Sequence, residues 1–245
     1  MGYDAMTMGR RDLMLGLDVT KERESEASFP FLSANLVSKE DEQPIFTPYV
    51  TLEQKGVRIG IIGLTEPEAV QASKAGGESE VLDPVETGRK YVGELRHKVD
   101  LLIVLSHLGL EEDKALARLV PGINVIVGGK SRKLMKKPEL VGKTLIVQQG
   151  YRGEWMGRFQ AAFDSEGRPS RFTEDIISLT DQYADDEEIA ALVSKYNAMY
   201  PSPTPAPTRT HDPRTPTVDR TRLFQEYQTR VAAITLTPQA TLSTQ

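Results

Sequence analysis

Two basic pairs and one histidine are the residues of this 245-residue chain best suited to chemistry. Arg10 and Arg11 lie in Gly9-Arg10-Arg11-Asp12, Lys130 and Arg132 in Gly128-Gly129-Lys130-Ser131-Arg132-Lys133, and His107 in Ser106-His107-Leu108-Gly109. Each segment follows a strand-like run, and in α/β sheets sites form where loops leave the carboxyl ends of strands. The glycines at 9, 109, 128 and 129 let the backbone turn sharply at those points. Guanidinium and ammonium groups carry only donors and positive charge, so they suit an anion and cannot act as metal ligands. Only if brought together at one site would Arg10, Arg11, Lys130 and Arg132 suit a small phosphate-bearing or other anionic ligand. Solvated loop charge is the ordinary reading of any basic run, and Lys136 and Lys137 are read that way.

The remaining candidates are weaker. His97 reads as a surface or helix-terminal histidine, and His211 lies in a Pro/Thr-rich tail. Glu66 and Glu68 flank Pro67 in a loop with room to border a site, but nothing in the sequence singles them out. Asp185 to Glu188 and Glu111 to Asp113 are acidic helix starts that complement the helix dipole. The sequence contains no Gly-x-Ser-x-Gly, no phosphate-binding Gly-Lys-Ser/Thr loop with its upstream glycine, and no dinucleotide fingerprint. No residue is singled out as catalytic. Cysteine is absent, which excludes disulfides, thiolate metal sites and thiol catalysis. A net charge of −5 argues against a nucleic-acid partner. No apolar run approaches the ~20 residues of a membrane span, so no membrane partner is expected.

The elements that must position these loops alternate strand and helix. A strand-like run is punctuated by Gly9, and a strand at Phe29 to Leu36 ends in a polar loop. Pro48 to Gln54 and Val57 to Leu64 form a hairpin joined at Lys55-Gly56. The second arm is apolar almost throughout, as a strand buried on both faces should be. Asp83-Pro84 supplies a cap and a first-turn proline for a helix to about Lys98. Strands at Asp100 to Leu105 and Ile123 to Val127 flank a helix at Glu111 to Val120, which predicts parallel pairing through right-handed crossovers. Strands at Thr144 to Gln149, Trp155 to Phe163 and Arg168 to Leu179 follow through short turns that favour antiparallel pairing. An amphipathic helix from Asp185 to Tyr200 is expected to close the domain. The fold class is α/β with a mixed sheet, over residues 1–200.

Residues 201–245 differ in composition, with seven of the 15 prolines, eleven threonines and no lysine. They read as a disordered or extended tail with room for one short helix near Thr221 to Ala233. The alternatives are a linker toward a further domain and a segment foreign to the native reading of the gene. The amino terminus has no secretory signal, and strand alternation begins almost at once. That pattern suggests a chain starting inside a domain, with an amino-terminal segment missing.

Several of these motifs carry a family resemblance. Gly2-Tyr3-Asp4-Ala5-Met6-Thr7-Met8-Gly9 resembles the segment of calcineurin-like metallophosphoesterases that leads into Gly-Asn-His-Glu, above all in the 5′-nucleotidase (UshA-like) branch. Val57 to Thr65 is similar to that branch's next buried strand. Ser106-His107-Leu108-Gly109 resembles its Ser-His-x-Gly motif, and Pro121 to Gly129 the run into Gly-His-Ser-His. Thr144 to Gly150 and Gly157-Arg158-Phe159 fit the strands that follow.

The resemblance implies a four-layer α/β/β/α sandwich, here amino-terminally incomplete, in which two divalent metals such as zinc or manganese activate water against a phosphate ester. It also implies nucleotide catabolism and a periplasmic or cell-surface setting. The family's first two ligand motifs would lie before Met1. Arg10-Arg11 stands where the family has Asn-His, and Lys130-Ser131-Arg132 where it has His-Ser-His. His107 is the one retained candidate metal ligand. The resemblance thus implies that Arg10, Arg11, Lys130 and Arg132 meet at one mouth of the sheet with His107 between them. The expectation is a 5′-nucleotidase-like phosphoesterase, inactive or altered in this chain, with no metal cofactor expected. The alternatives are a non-catalytic phosphate-binding module on the same fold and a structural remnant without a ligand.

Overall fold

The structure, a computed structural model, describes residues 2–71, 74–163 and 169–200. The Pro/Thr-rich segment 201–245, with its expected short helix and His211, lies outside the described residues. The elements in chain order are β1 (Met6–Thr7), α1 (Leu17–Glu26), β2 (Phe31–Leu32), β3 (Leu36–Ser38), β4 (Tyr49–Gln54), β5 (Val57–Leu64), β6 (Ser79–Val81) and α2 (Pro84–Leu95). They continue with β7 (Leu101–Ser106), α3 (Leu110–Leu119), β8 (Val125–Gly128), β9 (Glu139–Val141), β10 (Thr144–Val147), β11 (Trp155–Phe163), β12 (Pro169–Ser178) and α4 (Glu187–Met199).

A six-stranded sheet in the order β4-β5-β7-β8-β10-β9 forms the centre. The β4–β5 hairpin turns on Lys55 and Gly56, both at positive φ (52° and 80°), the backbone a two-residue hairpin loop requires. Strands β5, β7 and β8 pair in parallel, with α2 and α3 as the crossovers. Asp83 caps α2 by accepting from the amides of Val85 and Glu86. The alternation of β5 divides the core. Ile62 and Leu64 pack with α2 and α3 residues Tyr91, Val92, Leu95 and Leu116. Val57 and Ile59 face the other way and pack on Ala161 of β11. Burial of each such large side chain contributes roughly 1.5–3 kcal/mol.

The second β layer covers the face opposite α2 and α3, and it includes the parallel pair β1–β2 and the long hairpin β11–β12. At Gly63 the β2 strand comes so close that a Cβ would collide with Leu32, backbone oxygen included. The Ala34 amide donates to the Gly63 carbonyl at 2.8 Å across the same contact. Helix α1 lies outside this layer, its Leu17 packed with Met8, Leu13 and Phe31. The layers therefore run helix, sheet, β layer, helix, as the α/β/β/α expectation required.

The structure differs from the sequence reading in several places, among them the added short strands β6 and β9 and a first strand reduced to Met6–Thr7. The run Phe29 to Leu36 splits into β2 and β3, because Ser33 turns away to donate its amide to Thr47. Strand β10 pairs with β8 in parallel, since the short β9 is interposed and takes the antiparallel partnership itself. Helix α1 is additional; it is so polar that only Leu17 and Thr20 are buried. Helix α4 forms, capped by Asp186, but it closes no core among the described residues: none of its residues is buried, and Leu192 and Tyr196 are 57% and 59% exposed. No helix among the described residues is long and apolar enough to cross a membrane.

Candidate functional site

Four loops leave the carboxyl ends of β1, β5, β7 and β8 and converge on the ring of His107. From the β1 side, Gly9 packs flat against that ring; a Cβ there would lie 2.5 Å from its Cε1 and Nε2 atoms. From the β8 side, a Cβ on Gly129 would stand 3.4 Å from its Cδ2. The backbone holds His107 in place, its amide donating to the Leu64 carbonyl at 2.9 Å. The next loop is tied on in turn, with the Gly129 amide donating to the Ser106 carbonyl at 2.9 Å.

The centre of the cluster is Glu66, in the loop after β5. Its side chain is only 4% exposed, yet it gathers groups from three other loops. Oε2 lies 2.9 Å from Lys130 Nζ and 3.5 Å from His107 Nδ1, while Oε1 accepts from the Arg10 amide at 3.2 Å. Lys130 Nζ also lies 3.3 Å from Glu68 Oε2. Burial pulls the Lys130 ammonium down, but the two carboxylates outweigh it and hold its pKa above the ordinary lysine value. For Glu68, its own backbone amide and then Lys130 prevail over burial and hold the carboxyl below the usual range.

Buried hydrogen bonds fix this loop from behind. Asn35 donates Nδ2 to the Thr65 carbonyl and accepts from the Thr65 amide, each at 2.9 Å. Thr65 Oγ1 reaches the Met8 carbonyl at 3.2 Å, which links the β5 and β1 exits directly. Ser131 accepts the Leu110 amide at 2.7 Å, joining the basic loop to the start of α3. Below it, Ser106 Oγ donates to Asp113 Oδ1 and accepts the Leu108 amide at 3.1 Å. Burial pushes the Asp113 carboxyl up to about 6 against the opposing Ser106 hydrogen bond.

The structure thus distributes the five expected site residues unequally. His107 and Lys130 lie at the centre. Arg10 meets the cluster through its amide, while its side chain and those of Arg11 and Arg132 are exposed and form no ion pair among the described residues. Arg132 takes a left-handed φ of 54°, a conformation uncommon for arginine. His97 is at the surface, its Nε2 accepting from Arg96. Glu66 is the functional candidate that sequence reasoning passed over. The available signal was its place directly after β5, the position that selected the other three loops.

The metal pair implied by the resemblance can be tested against these side chains. His107 Nδ1 is buried without a hydrogen bond, as a free ligand nitrogen would be. The nearest carboxylate, however, is engaged by the Lys130 ammonium, and Arg10, Arg11 and Arg132 carry no lone pair to offer. Among the described residues no group of three or more His, Cys, Asp or Glu side chains is gathered closely enough to hold a metal. The residues present at these four loops do not fit two divalent ions.

No family model matches the sequence. The chain is nevertheless 31% identical over 196 residues to a 5′-nucleotidase of Vibrio cholerae, a match covering 66% of this chain and 35% of that protein. It is 30% identical over 205 residues to the trifunctional nucleotide phosphoesterase protein YfkN of Bacillus subtilis, covering 68% of this chain and 14% of that one. The chain therefore spans about a third or less of these relatives. Its fold superimposes on the crystal structure of a 5′-nucleotidase precursor from Thermus thermophilus with a TM-score of 0.72 and 31% identity, over 80% of this chain and 43% of that one. By sequence and by fold, the chain belongs to the 5′-nucleotidase branch of the calcineurin-like metallophosphoesterases.

Proposed function

We propose that this chain uses the phosphoesterase cleft to bind a phosphate-bearing anion without a metal and without hydrolysing it. The observation that carries the reading is the Lys130 ammonium, seated between Glu66 and Glu68 beside His107 where a two-metal enzyme needs lone pairs. Around it, the guanidinium groups of Arg10, Arg11 and Arg132 remain exposed on the two loops that flank His107. Charge-assisted contacts contribute roughly 1.5–3 kcal/mol each, so two or three hold phosphate in the micromolar-to-millimolar range. The attraction is largely Coulombic and weakens with salt.

Thermal-shift titration with phosphate and AMP at low ionic strength tests the reading, with Arg11→Ala and Arg132→Ala as controls. Both ligands are expected to raise the melting temperature of the parent and to have a smaller effect on either variant. Release of phosphate from AMP that is stimulated by manganese or zinc and lost in His107→Ala would overturn it. So would the absence of any shift, which would leave a structural remnant.

A further inference from the structure

We infer that Lys130 is a tethered cation: its ammonium does within this chain what an exchangeable metal ion would do, and its presence keeps divalent ions out. This rests on the reading of the cleft as metal-independent and extends it by naming the residue responsible.

The argument begins with the surroundings of Nζ. Two carboxylate oxygens lie within 3.3 Å of it, and they come from Glu66 and Glu68 on one short loop. Glu66 is almost fully buried, so its charge requires a counterion, and Lys130 is the cation within contact distance. Glu66 Oε2 also lies 3.5 Å from His107 Nδ1, which is buried and without a hydrogen bond. Two carboxylates and an imidazole are the ligand types that bind zinc or manganese. They are kept from closing on one point because the ammonium stands among them.

A metal entering beside Nζ would meet like charge at contact distance and would compete for oxygens already engaged. An ammonium differs from a metal in one decisive respect. It offers hydrogen-bond donors but no Lewis acidity, so it organises the loops and draws an anion without activating water. The side chain passes Gly109, the residue that caps α3, its Cδ 3.7 Å from the point a Cβ there would occupy. It is anchored at its base by the Gly129 amide and beside it by Ser131.

Lys130→Met removes the charge at nearly constant length, and Lys130→Arg preserves it. Manganese binding is measured by electron paramagnetic resonance on chelator-stripped protein in phosphate-free buffer. Lys130→Met is expected to acquire one manganese site at least tenfold tighter than any in the parent, while Lys130→Arg gains none. Adding Glu66→Gln to Lys130→Met should abolish the new site. Lys130→Met should also melt lower than the parent and recover on adding manganese, a readout that works even for a poorly folded variant. Lys130→His, which supplies a neutral ligand at the same place, is the second route to the site should Lys130→Met not fold. The inference is overturned if the parent binds manganese as tightly as Lys130→Met, or if neither Lys130→Met nor Lys130→His gains a site. Phosphate binding by the parent is read separately, so the assignment of Lys130 and the reading of the cleft can each fail alone.

Discussion

Replacing Glu66 by Gln should destabilise the fold and strengthen anion binding at the same time. The two effects have separate origins at one side chain. Glu66 is 4% exposed, and its Oε2 is 2.9 Å from Lys130 Nζ. Breaking a buried pair by removing one partner costs about 3–5 kcal/mol when the other charge is left stranded. Lys130 is not stranded, because its side chain is 37% exposed and Glu68 lies 3.3 Å away. The expected loss is therefore reduced to roughly 1–3 kcal/mol. For a domain of this size that corresponds to a fall in melting temperature of roughly 2–12 °C.

The gain in binding comes from removing a negative charge beside the ligand. Glu66 occupies the position of an anion, accepting the Arg10 amide and contacting Lys130. One unit charge about 5 Å away contributes roughly 1–3 kcal/mol across effective dielectric constants between water and the protein surface. Phosphate should then bind on the order of tenfold more tightly to Glu66→Gln than to the parent, and the difference should shrink with added salt. Calorimetric titration with phosphate at low and high ionic strength, together with a thermal melt, provides both numbers. A variant that melts lower and binds phosphate no better would refute the placement of Glu66 at the anion site.

Gly9→Ala sets a Cβ 2.5 Å from the His107 ring and should destabilise the fold by about 1–3 kcal/mol, because the ring must shift from its place against the Gly9 and Gly129 loops. A melt and a histidine NMR shift report the two consequences, and an unmoved imidazole would count against the packing described. Asp113, raised by burial to about 6, retains its proton in the fold over a range where the unfolded chain has lost it. Its contribution therefore favours the fold at low pH and declines as pH rises from about 4 to about 6, by an amount on the order of 3 kcal/mol. Urea unfolding at several pH values should show this decline in the parent and a flatter profile in Asp113→Asn; parallel profiles would remove Asp113 as its source.

Local signals carried most of the fold. The Lys55-Gly56 turn, the Asp83-Pro84 cap and the apolar runs of β5, β7 and β8 are each specified within a few residues, and each element forms there. Elements whose reason is tertiary were less legible. Helix α1 offers only Leu17 and Thr20 to the interior, too little to impose a visible period. The parallel pairing of β10 with β8 depends on β9 taking the outer edge, which no local pattern announces. The site divides in the same way. His107 and Lys130 stood out by residue type and loop position, whereas Glu66 is an acidic loop residue beside a proline. Its role comes from Lys130, 64 residues further along the chain, and from the buried Asn35–Thr65 hydrogen bonds that aim its loop. The sequence likewise offered no means of telling that Arg10 would reach the cluster by its amide and leave its guanidinium outside.

The most direct test is calorimetric titration of phosphate into chelator-stripped protein at low salt, repeated with manganese in place of the chelator. Saturable binding with the same affinity under both conditions, weakened in Arg11→Ala and Arg132→Ala, is the predicted result. Binding that appears only when manganese is present would contradict the account.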